Sequence, residues 1–405
     1  MKALTTLSLS LVAAAASATS TAVGADWPHW LGPNGDNIAP PSGPFEPDLS
    51  RWSEAWKANV GRGYSSVIVS GGRAYTLGHD EKSQETVTCL DAKSGDIVWT
   101  HAYKAELLPK MHPGGPNASP TVDGDRVITL SKDGQVFCLA ADSGKEIWKA
   151  SLETTLGIKL PAWGYASSAV VDEGRVLFSA GKVVALDRDS GKALWTSANT
   201  YHPGYTTPVV FQREGRKFLA ALDGKGLSVL SSEDGKEIAR IPFKAKFDMV
   251  ATTPIVLTGG SRIFISGNTS AAMLAFDGST LSEAWSSENI RNTMNNSVAI
   301  DGLLFGIDGS QGSAKSSLTC IDASDGSVKW TQEKFGYGNT IGIGKAHLLA
   351  LTENGELVTL KAGSKYEEIS RRQLLGKTCW TTPVYAAGRI FVRNDRGNVV
   401  CLAKE

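Results

Sequence analysis

The sequence predicts an all-β fold: an eight-bladed β-propeller of four-stranded antiparallel blades, with the last blade closed by the N-terminal strand. Three observations predict it. A segment ending at or near Trp recurs along the chain, with equivalent positions 39 to 49 residues apart. Short β-rich runs inside each copy are punctuated by Asp-Gly or Ser-Gly pairs. The first and last copies are each incomplete, in complementary ways. A period in the forties built of short strands is that of propeller blades and not of helical hairpins.

The clearest copies are residues 87–99, 136–148, 183–195 and 318–330, each ending on Trp. Residues 273–285 form a looser copy. Residues 227–240 keep Asp234-Gly235 but place Ile238 near the Trp position, and residues 356–369 are the most worn copy. One repeat reads strand by strand as 119–122, 126–131, 135–140 and 145–149, with turns at Gly124, Gly134 and Gly144. Asp-Gly and Ser-Gly supply the positive backbone angles that tight hairpins need. Runs such as Val136-Phe137-Cys138-Leu139 are continuously apolar, as strands buried on both faces must be. No helical pattern interrupts residues 26–405. The repeated Trp is expected to pack between blades, where burying it stabilises by roughly 1.5–3 kcal/mol.

The inner strand recurs eight times, starting near Tyr64, Asn117, Tyr165, Thr206, Thr252, Asn295, Thr340 and Thr381. The last copy runs through 398–402 and lacks a fourth strand, while residues 54–57, with Trp56, form an orphan ahead of the first inner strand. The N-terminal segment is therefore expected to complete the C-terminal blade, removing two open sheet edges.

Forty-one basic and 41 acidic residues cancel, so no strong field draws in nucleic acid or an anionic membrane. Lys2, an apolar and small-residue run over 4–18 and the small residues Val23, Gly24 and Ala25 read as a cleavable signal peptide over 1–25. That places a leader at 26–53, the propeller at 54–405, and the protein in the periplasm or medium. No later segment is long and apolar enough to span a bilayer. Of five cysteines, Cys89, Cys138, Cys320 and Cys401 share one repeated context and Cys379 stands apart. That repetition reads as small core residues, with no Cys-x-x-Cys pair to suggest a metal.

The Ala-x-x-Gly-x-x-x-Trp pattern, as in Ala92, Gly95 and Trp99 or Ala323, Gly326 and Trp330, resembles the pyrroloquinoline-quinone-like (PQQ-like) propeller repeat. The resemblance covers nearly all of residues 26–405. It extends to the propeller subunit of the barrel-assembly machinery and to quinoprotein dehydrogenases. The leader Asp26-Trp27-Pro28-His29-Trp30-Leu31-Gly32-Pro33 resembles the head of secreted PQQ-like propellers, which commonly carry Arg where Leu31 stands. For the dehydrogenases the resemblance implies PQQ with Ca²⁺, an Asp base and often an adjacent-cysteine ring. This sequence has no Cys-Cys pair and no haem motif, and it leaves little length for capping insertions.

Connections from each outer strand to the next inner strand gather on one face of a propeller. Here they carry His112, Asn117, Trp163, Tyr165, His202, Tyr205, Asp248, Arg291, Asn292, Asn295, Tyr337 and Trp380 as ligand-binding candidates. An aromatic-walled mouth with a few polar groups suits a planar or sugar-like ligand. Asp248 is the candidate catalytic base or cation ligand, with Arg291 as its charge partner. His112 and His202 are candidate acid–base or metal groups, and no metal set is assigned. No nucleophile elbow, HExxH motif or P-loop appears. The expected function is a monomeric, non-catalytic envelope scaffold that meets a protein or small ligand at its loop face. The alternatives are a PQQ-dependent alcohol or sugar dehydrogenase and a carbohydrate-binding accessory protein.

Overall fold

The computed structural model describes residues 25–40, 43–110, 112–202, 204–313, 315–376 and 378–404. Apart from Ala25, the expected signal segment lies outside them.

Among the described residues eight sheets form, one per repeat. Seven take their four blade strands in sequence order, one of these gaining a fifth strand from the N-terminal segment, and the last borrows its outer strand from that segment. The second blade shows how local sequence sets the strands: Thr121–Asp123, Arg126–Leu130, Gln135–Ala140 and Glu146–Ser151. Its turn glycines Gly124, Gly134 and Gly144 all adopt positive φ, conformations that cost other residues energy. The last sheet holds Val384–Ala386, Arg389–Arg393, Asn398–Lys404 and, as its outer strand, Trp52–Asn59. The closing strand runs antiparallel to Asn398–Lys404, with Trp56 opposite Cys401. The ring closes as expected. One departure is a five-residue helix, Leu152–Leu156, between blades 2 and 3, capped by Ser151 and ended by Gly157 at φ 64.

The third and outer strands of every blade are out of register at one point, a bulge beside the Trp position. Bulges bend and twist a strand, and this one aims the Trp at the next blade. Trp56 Nε1 donates to Ala92 O at 3.2 Å, Trp99 Nε1 to Ala141 O at 3.0 Å and Trp148 Nε1 to Arg188 O at 2.8 Å. Each ring also lies on the turn glycine of that next blade. A Cβ on Gly144 would stand 2.4 Å from the Trp99 ring, and one on Gly191 2.4 Å from Trp148. The Gly and Trp of one repeat motif therefore serve two different interfaces. The register corrects two alignments. Ala239 and Ser370, not Ile238 and Ile369, stand at the Trp position of blades 4 and 7. At Ser370 the N-terminal segment covers the gap: Leu49 N donates to Ser370 Oγ at 3.1 Å, and Phe45 packs edge-on against Tyr385.

Cys89, Cys138 and Cys320 each face the Trp of their own blade, and Cys401 faces Trp56. All five thiols are buried and free. Burial pushes Cys138 and Cys401 up to about 11, and Cys320 and Cys379 up to about 12. They are core residues with no thiolate to offer.

The leader crosses the propeller axis at the face where the inner strands end. Trp27 exchanges backbone hydrogen bonds with Val69 of blade 1 at 2.8 and 2.9 Å, and Val122 N of blade 2 donates to Pro28 O at 2.8 Å. On the far side Trp30 Nε1 donates to Thr253 Oγ1 at 3.0 Å and Asn37 Nδ2 to Thr340 O at 2.7 Å. Ile38–Ala39 then adds a parallel strand to the inner edge of blade 7.

Candidate functional site

Around the axis, hydroxyl and amide side chains at the start of the inner strands tie neighbouring blades. Ser66 N donates to Ser119 Oγ, Ser119 N to Ser168 Oγ and Ser168 N to Thr207 Oγ1, each at 3.0 Å. Thr253 N donates to Asn296 Oδ1 at 2.7 Å and Thr382 N to Ser66 Oγ at 3.1 Å. The outer-to-inner connections project above this belt, and several predicted site residues meet there.

An aromatic arc runs along one side of the mouth. Trp163 stacks on His112 with ring centres 5.6 Å apart, and His112 meets Tyr64 edge-on at 5.2 Å. Tyr64 stacks on Trp380 at 5.3 Å. All four rings are part-exposed. Asn117 Nδ2 donates to Trp163 O at 3.2 Å, and Trp380 Nε1 donates to Glu353 Oε2 at 3.2 Å, so both ends of the arc are braced. Burial, with the Lys132 charge adding to it, pushes the His112 imidazole down to about 4. It is neutral near pH 7, with Nδ1 accepting from Gly114 N at 3.1 Å. Tyr64 was not among the expected site residues. Its place at the head of the first inner strand, equivalent to Tyr205 and Trp380, was the available signal.

A second feature absent from the sequence reading lies beneath the arc. Glu85 and Lys132 are fully buried between blades 1 and 2. Tyr103 donates its hydroxyl to Glu85 Oε2 at 3.0 Å. Lys132 runs under Gly164, where a Cβ would stand 2.3 Å from Lys132 Cγ, and its Nζ has no hydrogen-bond partner among the described residues. Burial pushes the Glu85 carboxyl up to about 8 and the Lys132 ammonium down to about 8. The folded state then holds a proton on Glu85 that the unfolded chain, near the ordinary value of 4.5, gives up. The Glu85 contribution to stability accordingly falls as pH rises from 4.5 towards 8. In thermal melts across that range, the difference between wild type and Glu85→Gln is expected to shift steadily in favour of the variant. A constant difference would contradict a protonated Glu85.

The other candidates divide into two groups. Asp248 Oδ2 lies 3.6 Å from Lys225 Nζ and 4.0 Å from His202 Nε2. Arg291 is not its partner, because that guanidinium grips Asp308 in a two-point contact with both distances at 2.9 Å. Tyr205 heads the inner strand of blade 4 beside them, its N–H donating to Val250 O at 2.8 Å. The remaining candidates are engaged within the fold. Asn292 Nδ2 and Asn295 Nδ2 both donate to Ile307 O, at 3.2 and 2.9 Å. Tyr337 is buried and its hydroxyl accepts from Met294 N at 3.0 Å. Tyr165 is buried against Gly134, where a Cβ would stand 2.5 Å from its ring.

Among the described residues, no helix is long and apolar enough to cross a membrane. A family model described as outer membrane protein assembly factor BamB matches residues 50–208 and 83–332. The outer membrane protein assembly factor BamB of Burkholderia pseudomallei (strain K96243) is 27% identical over 206 residues, covering 49% of this chain and 48% of that protein. The chain thus spans about half the length of the curated relatives it matches. Among solved structures, BamB from Moraxella catarrhalis aligns with a TM-score of 0.62 at 14% identity, covering 87% of this chain and 97% of that one. The quinohemoprotein alcohol dehydrogenase from Comamonas testosteroni aligns with a TM-score of 0.71 at 13% identity, covering 95% and 81%. At such identities the two structures share the fold alone, in agreement with the PQQ-like repeat read from the sequence. The family match spans most of the blades, and on it the chain belongs to the outer membrane protein assembly factor BamB family.

Proposed function

We propose that this chain is a non-catalytic protein-interaction scaffold of the cell envelope that serves outer-membrane protein assembly and offers its loop face to a partner protein. The aromatic arc of Trp163, His112, Tyr64 and Trp380 carries the reading. Half-exposed Trp and Tyr side chains held on a rigid frame are the residue types that anchor protein interfaces. The relatives' name supports the assembly role, and the expected signal segment supports a periplasmic setting.

The oxidoreductase alternative asks for PQQ with Ca²⁺, and the described residues give that group less support than they give the scaffold. Among the described residues, no cluster of three or more His, Cys, Asp or Glu is placed to hold a metal ion. Asp248, the candidate base, is shared between Lys225 and His202.

A photo-reactive residue placed at 163 or 380 of the full chain in cells is expected to cross-link a protein of the outer-membrane assembly apparatus. The same residue at Lys149, exposed on an outer strand, is expected to give none. Equal labelling at all three positions, or none at 163 and 380, would remove the arc as the interface. Purified protein incubated with PQQ and Ca²⁺ and then desalted is expected to keep no quinone absorbance. A retained stoichiometric signal would return the oxidoreductase reading.

A further inference from the structure

A cleft of about 530 Å³ opens on the loop face between blades 3 and 4, lined by Asn199, Thr200, Tyr201, His202, Lys225 and Arg240. The volume suits a small molecule. An ammonium side chain, a guanidinium and an imidazole line this cleft, and no carboxylate is among its described lining residues. The nearest acids face elsewhere or are already engaged. Asp223 is buried and accepts from Arg240 Nη1 and from Lys225 N, both at 2.7 Å. Glu237 accepts from the Tyr201 hydroxyl at 2.8 Å and from Ser228 Oγ at 3.0 Å. Asp248 stands at the rim, 3.6 Å from Lys225 Nζ.

The cleft is also preformed. The Arg240 guanidinium is held over the Tyr201 ring at 5.0 Å, with its Nη1 pinned by Asp223 and by Ser228 Oγ. Its Nε and Nη2 have no hydrogen-bond acceptor among the described residues. The connections on either side close on the turn at Gly224, where a Cβ would stand 1.9 Å from Asp248 O and 2.6 Å from His202 Nδ1. A fixed planar fork beside a mobile ammonium is the donor set that recognises an oxyanion.

We propose that this cleft binds a small ligand bearing an oxyanion, a carboxylate or a phosphate ester, with Arg240 as the fixed donor and Lys225 as the mobile one that swings from Asp248 onto the ligand. The site is independent of the scaffold role and of the aromatic arc.

Calorimetric titration of the full chain with glucose 6-phosphate, glucuronate and glucose tests it, and the two charged probes separate phosphate from carboxylate. Saturable binding of at least one charged sugar is expected, with none for glucose. Affinity should fall as NaCl rises from about 0.05 to 0.5 M, because screening weakens an exposed ion pair. Lys225→Met, whose side chain is exposed, is expected to fold normally and to lose about tenfold in affinity. Arg240→Met should lose more but leaves Asp223 unpaired, so its melting curve is read alongside. Absence of saturable binding for both charged sugars overturns the proposal. So does equal binding of glucose, or unchanged affinity in Lys225→Met.

Discussion

Trp56→Ala is expected to lower the unfolding free energy by about 3–5 kcal/mol, the cost of emptying a large buried aromatic site. Trp56 sits on the strand that closes the ring. It donates to Ala92 O of blade 1 and rests on Gly95, where a Cβ would stand 2.6 Å from its ring. It also packs against Phe391 of its own blade at 5.9 Å between ring centres. One side chain thus joins the chain's first long strand to both the blade it completes and the next blade. Urea unfolding gives the stability change. Hydrogen exchange across 52–59 and 398–404 reports where it acts, since a weakened closure opens there before the rest of the ring. A loss below about 1 kcal/mol, or exchange no faster in that sheet than in blade 5, would mean the closing strand is held by its backbone ladder alone.

The second large effect is expected at Gly144. Gly144→Ala places a side chain at φ 69, and its Cβ falls 2.4 Å from Trp99 Cε3. The backbone conformation alone costs of order 1–3 kcal/mol, and forcing a packed ring aside costs typically another 1–3 kcal/mol. A combined loss of about 2–6 kcal/mol is expected. Gly174→Ala separates the two contributions, because Gly174 has φ 77 with nothing within 4 Å of an added Cβ. It should show the conformational cost and no packing cost. Equal losses in the two variants would rule out the Trp–Gly contact between successive blades as a stabilising device.

These contacts also explain how much of the fold was legible in the sequence. The Gly and Trp spacing records one contact between adjacent blades repeated along the chain, so the repeat appears even though the residues that touch belong to different copies. Closure was legible because residues 54–57 carry the pattern that the last copy lacks. The leader's route across the axis was not, since Trp27 is held through its backbone to Val69, which any sequence supplies, and the side-chain anchors Trp30 and Asn37 belong to no repeat. The worn seventh copy was hard to align for a related reason. Its missing Trp is compensated by Phe45 and Leu49, which belong to no repeat.

The site was legible by loop and not by residue. Local sequence put the right connections on one face, but partners elsewhere in the chain decided which side chains stay accessible. Arg291 is taken by Asp308 and Asn295 by the carbonyl of Ile307. Trp163 and Trp380 remain part-exposed. Glu85 and Lys132 gave no warning, because nothing in their neighbouring residues distinguishes a buried charge from one in solvent.

The closing sheet bears on how the protein is made. Asn59 and Asn398, partners in that sheet, are 339 residues apart. Trp27, Trp52 and Trp56 therefore leave the ribosome long before blade 8 exists to receive the closing strand. Pairing across such a separation is slow, and unpaired apolar strands invite association with other chains in the meantime. Cellular yield is accordingly expected to depend on how well that early segment is shielded during synthesis as well as on the stability of the finished ring.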